Sequence, residues 1–172
     1  MAQELYTRTN QKIFYAGLAL ESWRQAEEGR ALNAQALVQA EREAALFHLY
    51  GALLGLCHEI AGYYRLPQSH APRAEQLLTP AVLEAAPCPE LAELIELAQQ
   101  PETWLAQLLL AYAELFQPPQ AEKKAKVDPG TPLIEAISLD REVPPLARET
   151  LEEWRQQLKN LAKRFRESLS EW

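Results

Sequence analysis

The chain is poor in cysteine. Two, Cys57 and Cys88, stand among 172 residues, too few for a disulfide framework. Reduced thiols in a cytoplasmic protein are the expectation. Strand formers are scarce as well: there is little Val, Ile or Thr, which argues against a β or α/β fold. The six glycines build no nucleotide-binding loop, and neither zinc spacing nor a G-x-S-x-G elbow occurs. Glu-x-x-His, the pair from which helical bundles build di-metal sites, is missing too. No cofactor or metal is therefore expected. The opening MAQELYTRTNQK has no apolar signal-peptide core. The longest stretch without histidine or charge in the most apolar segment, Leu49–Cys57, is far short of the ~20 residues of a membrane span.

What is abundant is Ala, Leu, Glu and Gln, all strong helix formers. An all-α bundle follows. The most apolar run is AALFHLYGALLGLCHEIAGYY, Ala44–Tyr64, and it reads as a buried central helix. At about 100° per residue, Ala45, His48, Ala52, Gly55, Glu59 and Gly62 share a narrow face of small residues, which Glu41 extends upstream. The other sides are bulky. Gly51, Gly55 and Gly62 each cost about 1 kcal/mol against Ala, which suggests the close approach of a neighbouring helix.

In chain order, residues 3–28 read as a first helix. Tyr6, Ile13, Gly17, Leu20 and Trp23 mark its apolar side, Phe14 and Leu18 widen it, and Gly29 is the expected C-cap. The second helix runs from Asn33 to about Arg65, spans about 50 Å, and stops at Leu66-Pro67. Together they predict a long antiparallel hairpin. Prolines then introduce short helices near 72–78, 80–86 and 89–99, and a longer one over 101–116. A core over 1–116, a flexible Pro- and charge-rich linker over 117–132, and a C-terminal segment over 133–172 complete the expected organisation.

The final helix, expected over 145–171, has the cleanest periodicity. Ala147, Leu151, Trp154, Leu158, Leu161 and Phe165 form a 4-3-4-3-4 seam, with Trp172 one heptad on. Leu151, Trp154, Leu158, Leu161, Phe165 and Trp172 are accordingly candidate interface residues, docked on the hairpin or on another chain. Arg155, Lys159, Lys163 and Arg166 make a basic stripe beside it, matched to the negative end of the helix dipole. The net charge of −7 argues against nucleic acid or an anionic membrane as partner.

Three readings of function follow. The leading one is a non-enzymatic interaction or adaptor protein that pairs with another protein or with itself as a homodimer. A second is a small-molecule-binding bundle, which needs a cavity beside Gly51, Gly55 and His48. The third starts from Arg42…His48, whose spacing resembles the motif of the HEPN ribonucleases, all-helical proteins in which a dimer joins two such motifs to cleave RNA without metal. That resemblance implies catalytic roles for Arg42 and His48, although Glu43 stands where those enzymes carry Asn, Asp or His. Arg65…His70 repeats the spacing across a turn. Glu41, His48 and Glu59 are candidates for a buried polar face; His48 and Glu59 lie about 16 Å apart along the axis, too far to share one metal.

Two stretches, ELYTRTNQKIFYAGLALESW and LNAQALVQAEREAALFHLYGALLGLCHEIAGYYRLP, resemble a small uncharacterised all-helical family, a domain of unknown function, of pseudomonads and related bacteria. The resemblance implies a cytoplasmic bacterial protein with a helical hairpin core, and it carries no catalytic residue.

Overall fold

The computed structural model describes residues 2–118 and 145–170, the side chain of Ala2 excepted. Most of the expected linker, the segment 133–144 and Trp172 lie outside the described residues. Six α-helices occur among the described residues: α1 (Ala2–Glu28), α2 (Ala34–Tyr63), α3 (Pro80–Ala85), α4 (Pro89–Gln99), α5 (Trp104–Glu114) and α6 (Arg148–Ser170). The fold is an all-α bundle on a long antiparallel hairpin.

The hairpin closes along the small-residue face of α2. A Cβ on Gly55 would fall 2.7 Å from Thr9 Oγ1 and 3.3 Å from Thr9 Cα, and one on Gly51 would meet the stem of Lys12 at 3.0 Å. The glycines are the price of this close approach. Gly55→Ala is expected to destabilise the fold. Overpacking costs about 1–3 kcal/mol, and the gain in helix propensity returns at most about 1 kcal/mol. Urea unfolding of the variant beside the native chain checks this.

α6 lies in the groove between the hairpin helices and runs back along α1. Arg148 meets Glu27, Arg155 meets Ile13, and Arg166 meets both Asn10 and Glu59. Its seam residues Leu151, Trp154, Leu158, Leu161 and Phe165 are 0–6 % exposed and join one core with Ile13, Leu20, Trp23, Leu49, Leu53 and Ile60. Of the two uses expected of this seam, docking on the hairpin or on another chain, these five residues serve the first. α4 and α5 close the remaining side of α2, where Tyr50 stacks flat on Tyr112 at 3.8 Å.

Local chemistry sets the ends of the short helices. Pro80 and Pro89 open α3 and α4, and Thr79 accepts the Val82 N–H. Thr103 caps α5 by accepting the Ala106 N–H, so that helix starts at Trp104 rather than at residue 101. The expected helix over 72–78 is a single 3₁₀ turn, Ala74–Gln76. The Ala74 N–H is given instead to the Tyr50 hydroxyl, which donates to Glu75.

Gly29 follows the last residue of α1 as expected and its N–H donates to Gln25 O at 2.9 Å, without the left-handed geometry, since no described glycine has a positive φ. Left-handed geometry ends α2. Arg65 has φ 55°, the Leu66 N–H donates to Ala61 O at 2.8 Å, and the Arg65 N–H donates to Gly62 O at 3.3 Å. This is the Schellman bond pair, with arginine where glycine usually sits.

Candidate functional site

The most tightly held polar group in the bundle is Glu59. Arg166 grips its carboxylate from α6 with two bonds, Nε to Oε2 at 2.8 Å and Nη2 to Oε1 at 2.7 Å. The same guanidinium donates to Asn10 at 2.9 Å and lies over the Tyr6 ring at 4.6 Å. The Glu59 side chain is 1 % exposed and that of Arg166 22 %. The Glu59 hydrogen bonds raise the basicity of the guanidinium further. Both carboxylate oxygens are occupied by a group that does not lose its proton. The pair ties α6 to both hairpin helices and is not arranged for acid–base work. One residue came from the expected buried polar face and the other from the expected basic stripe.

The rest of the stripe divides. Arg155 donates to the Ile13 carbonyl at 2.9 Å and to Glu152 at 3.0 Å. It reaches that carbonyl because Gly17 has no side chain: a Cβ there would fall 2.7 Å from the guanidinium. Arg164 makes a two-bond pair with Glu93 of α4. Lys159 and Lys163 are exposed, and Lys163 has Glu167 at 4.0 Å.

Arg42 and His48 have separate surroundings. Arg42 stacks over Trp23 at 4.9 Å and donates to the Leu146 carbonyl at 3.2 Å and to Gln39, which fastens the start of α6. His48 points toward α1, edge-on to Tyr15 at 5.5 Å and to Phe47 at 5.4 Å. Its Nδ1 is buried without a hydrogen-bond partner among the described residues. Glu41 is half-buried on the same side. The cavity sought beside Gly51 and Gly55 is filled by Lys12 and Thr9.

Burial, and then Lys12, push the His48 pKa below its usual value of 6.5. The sign follows: the unfolded chain takes up this proton before the folded one does. Stability is full above the unfolded value and falls as pH drops toward the folded one. Between about pH 7.5 and about pH 5.5 the native protein is expected to lose more unfolding free energy than His48→Gln, by urea titration at each pH.

The surface feature that sequence reasoning missed lies on the outer side of the hairpin. Phe14 is 59 % exposed, Leu18 50 %, Tyr15 37 % and Phe47 49 %. Phe14, Tyr15, His48 and Phe47 follow one another in ring contact, tilted between Phe14 and Tyr15 and T-shaped on both sides of His48, with the Lys12 ammonium 4.9 Å from the Phe47 ring centre. Phe14 and Leu18 were expected to widen the buried side of the first helix. They face outward because α1 needs only a narrow stripe (Thr9, Ile13, Ala16, Leu20, Trp23) against its neighbours, and residues 14 and 18 fall about 140° and about 180° away from its centre at about 100° per residue. Glycine-lined packing is what makes the stripe narrow, and the glycines of α2 were the available signal.

Among the described residues no three His, Cys, Asp or Glu side chains are grouped so as to hold a metal. Cys57 and Cys88 are both buried and unpaired, and burial pushes the Cys57 thiol up to about 12. α2 has the length and hydropathy of a membrane span, but 67 % of its most apolar window is buried inside the bundle. Its apolar character is therefore accounted for by the core.

Comparison with curated proteins and with solved structures returns no match. A family model, described as a family of unknown function (DUF6586), matches residues 1–172, and the chain belongs to that family.

Proposed function

We propose that this chain is a non-enzymatic interaction protein that pairs with a second copy of itself through the outer face of the α1–α2 hairpin. The observation that carries the reading is the exposed cluster of Phe14, Tyr15, Leu18 and Phe47. Isolated apolar residues on a surface need no explanation, whereas a joined aromatic group marks a contact site. Its position favours self-association. Phe14–Leu18 lies at the middle of the 27-residue α1. A two-fold axis that sets α1 against its own antiparallel copy brings mid-helix onto mid-helix and overlaps the whole length.

Two further expectations belong to this reading. The buried, unpaired thiols and the net charge of −7 favour a cytoplasmic protein that binds neither membrane nor nucleic acid. The ribonuclease alternative lacks comparable support, since Arg42 is occupied at Trp23 and Leu146.

Sedimentation equilibrium over a wide concentration range tests the proposal. The native chain is expected to be a dimer, with a melting temperature that rises with concentration. Phe14→Glu with Leu18→Glu is expected to be a folded monomer. A native chain that stays monomeric, or a double variant that still dimerises, contradicts the proposal.

A further inference from the structure

A cavity of about 390 Å³ opens between the start of α1 and the end of α2, away from the aromatic face. Leu5, Gly62 and Leu66 contribute apolar wall, and Arg65, Ser69 and His70 supply polar groups along with Glu59. We propose that this cavity binds a small apolar monocarboxylate, with Arg65 as its counter-charge.

The choice of residue at position 65 is the first argument. Arg65 closes the Schellman turn at φ 55°, where glycine is unstrained and any other L-residue meets its own carbonyl. A cation near the C-terminus of α2 does favour the helix dipole. That benefit is open to any residue of the last turn, and α2 has no basic residue there. Arg65 lines the cavity, which gives an arginine at this strained position a use that the dipole does not.

Charge counting selects the ligand. Glu59 in the wall is neutralised by Arg166 through two bonds. Arg65 forms no ion pair among the described residues, whereas every other charge in the wall is paired. About one positive charge is left over, enough for a monoanion and too little for a phosphate dianion. The lining is mostly apolar, so the anion needs an apolar body. The volume lies at the lower end of small-molecule sites. A carboxylate fits the planar guanidinium with two parallel bonds, and Ser69, also in the lining, offers a further donor.

Titration of the full chain with octanoate, octanol, octylamine and inorganic phosphate, read by calorimetry and by the amide shifts of Ser69 and His70, tests the inference. Octanoate is expected to bind and to move those two amides, and the other three probes to bind far more weakly. Arg65→Gly is expected to keep or raise the melting temperature while weakening octanoate about 10- to 100-fold, the worth of a hydrogen bond to a charged group. Equal binding of octanol and octanoate, no binding of octanoate to the native chain, unchanged octanoate binding in Arg65→Gly, or a lower melting temperature of that variant would each overturn it. None of these outcomes bears on dimerisation, which rests on other residues.

Discussion

Arg166→Ala is expected to destabilise the bundle by about 3–5 kcal/mol, the loss typical when one partner of a buried pair is removed. The cost does not lie in the pair's attraction as such. Desolvation largely cancels attraction when two charges are buried together. It lies in what is left: a Glu59 carboxylate, 1 % exposed, whose two oxygens have both lost the guanidinium that bonded them. Arg166 also gives up the Asn10 bond and its packing on Tyr6. Glu59→Gln should cost less, because a neutral amide is easier to bury and still accepts a bond from Arg166. The double replacement Glu59→Leu with Arg166→Met should come closest to the native chain, since it buries no charge. Urea unfolding of all four proteins checks the order. If Arg166→Ala costs no more than the double variant, the pair does not hold the two hairpin helices and α6 together as described.

Trp23→Ala is the second large effect, with an expected loss of about 3–5 kcal/mol. The Trp23 side chain is 1 % exposed. Its ring carries the Arg42 guanidinium, and its indole N–H donates to Glu27 at 2.6 Å. Arg42 and Glu27 are also the residues that hold Leu146 and Arg148 at the start of α6. The variant should therefore do more than leave a cavity between α1 and α2. Amide exchange in the first turns of α6 is expected to accelerate beyond the rise that global destabilisation produces. Trp23→Phe keeps most of the buried ring and loses the Glu27 bond, and should fall between the native chain and Trp23→Ala. A cavity cost without faster exchange in α6 would show that the Trp23–Arg42 stack is not what fastens that helix.

These two residues also show what a sequence can reveal. α6 was legible because Leu151, Trp154, Leu158, Leu161 and Phe165 repeat at a helical period that its neighbours do not disturb. The hairpin was legible because a long apolar run with glycines on one side has few other uses. The joint between α6 and the hairpin was not. Glu59 and Arg166 are 107 residues apart, and no local pattern relates them. Each could be recognised as unusual, one as a charge in an apolar helix and the other as part of a stripe, but their pairing is a property of the tertiary packing. Phe14 and Leu18 were misplaced for a related reason. Helical periodicity shows which residues share a side, whereas how wide a side the neighbours cover depends on how closely they approach. The turn at Ala74–Gln76 failed as a helix because Tyr50, from α2, offered its backbone a better partner.

The same geometry makes the association surface testable by chemistry. Cys57 and Cys88 are buried, so new surface cysteines can be oxidised without interference. Single cysteines along the outer side of α1 (Gln11→Cys, Tyr15→Cys, Leu18→Cys, Ser22→Cys) and on the exposed side of α6 (Lys159→Cys) can be compared for disulfide formation between chains. A disulfide needs Cα atoms about 4.4–6.8 Å apart, which only residues beside a two-fold axis achieve with their own copies. The account predicts that cross-linking peaks at Tyr15 and Leu18, falls toward Gln11 and Ser22, and is absent at Lys159. A peak at Lys159, or uniform failure along α1, would contradict it.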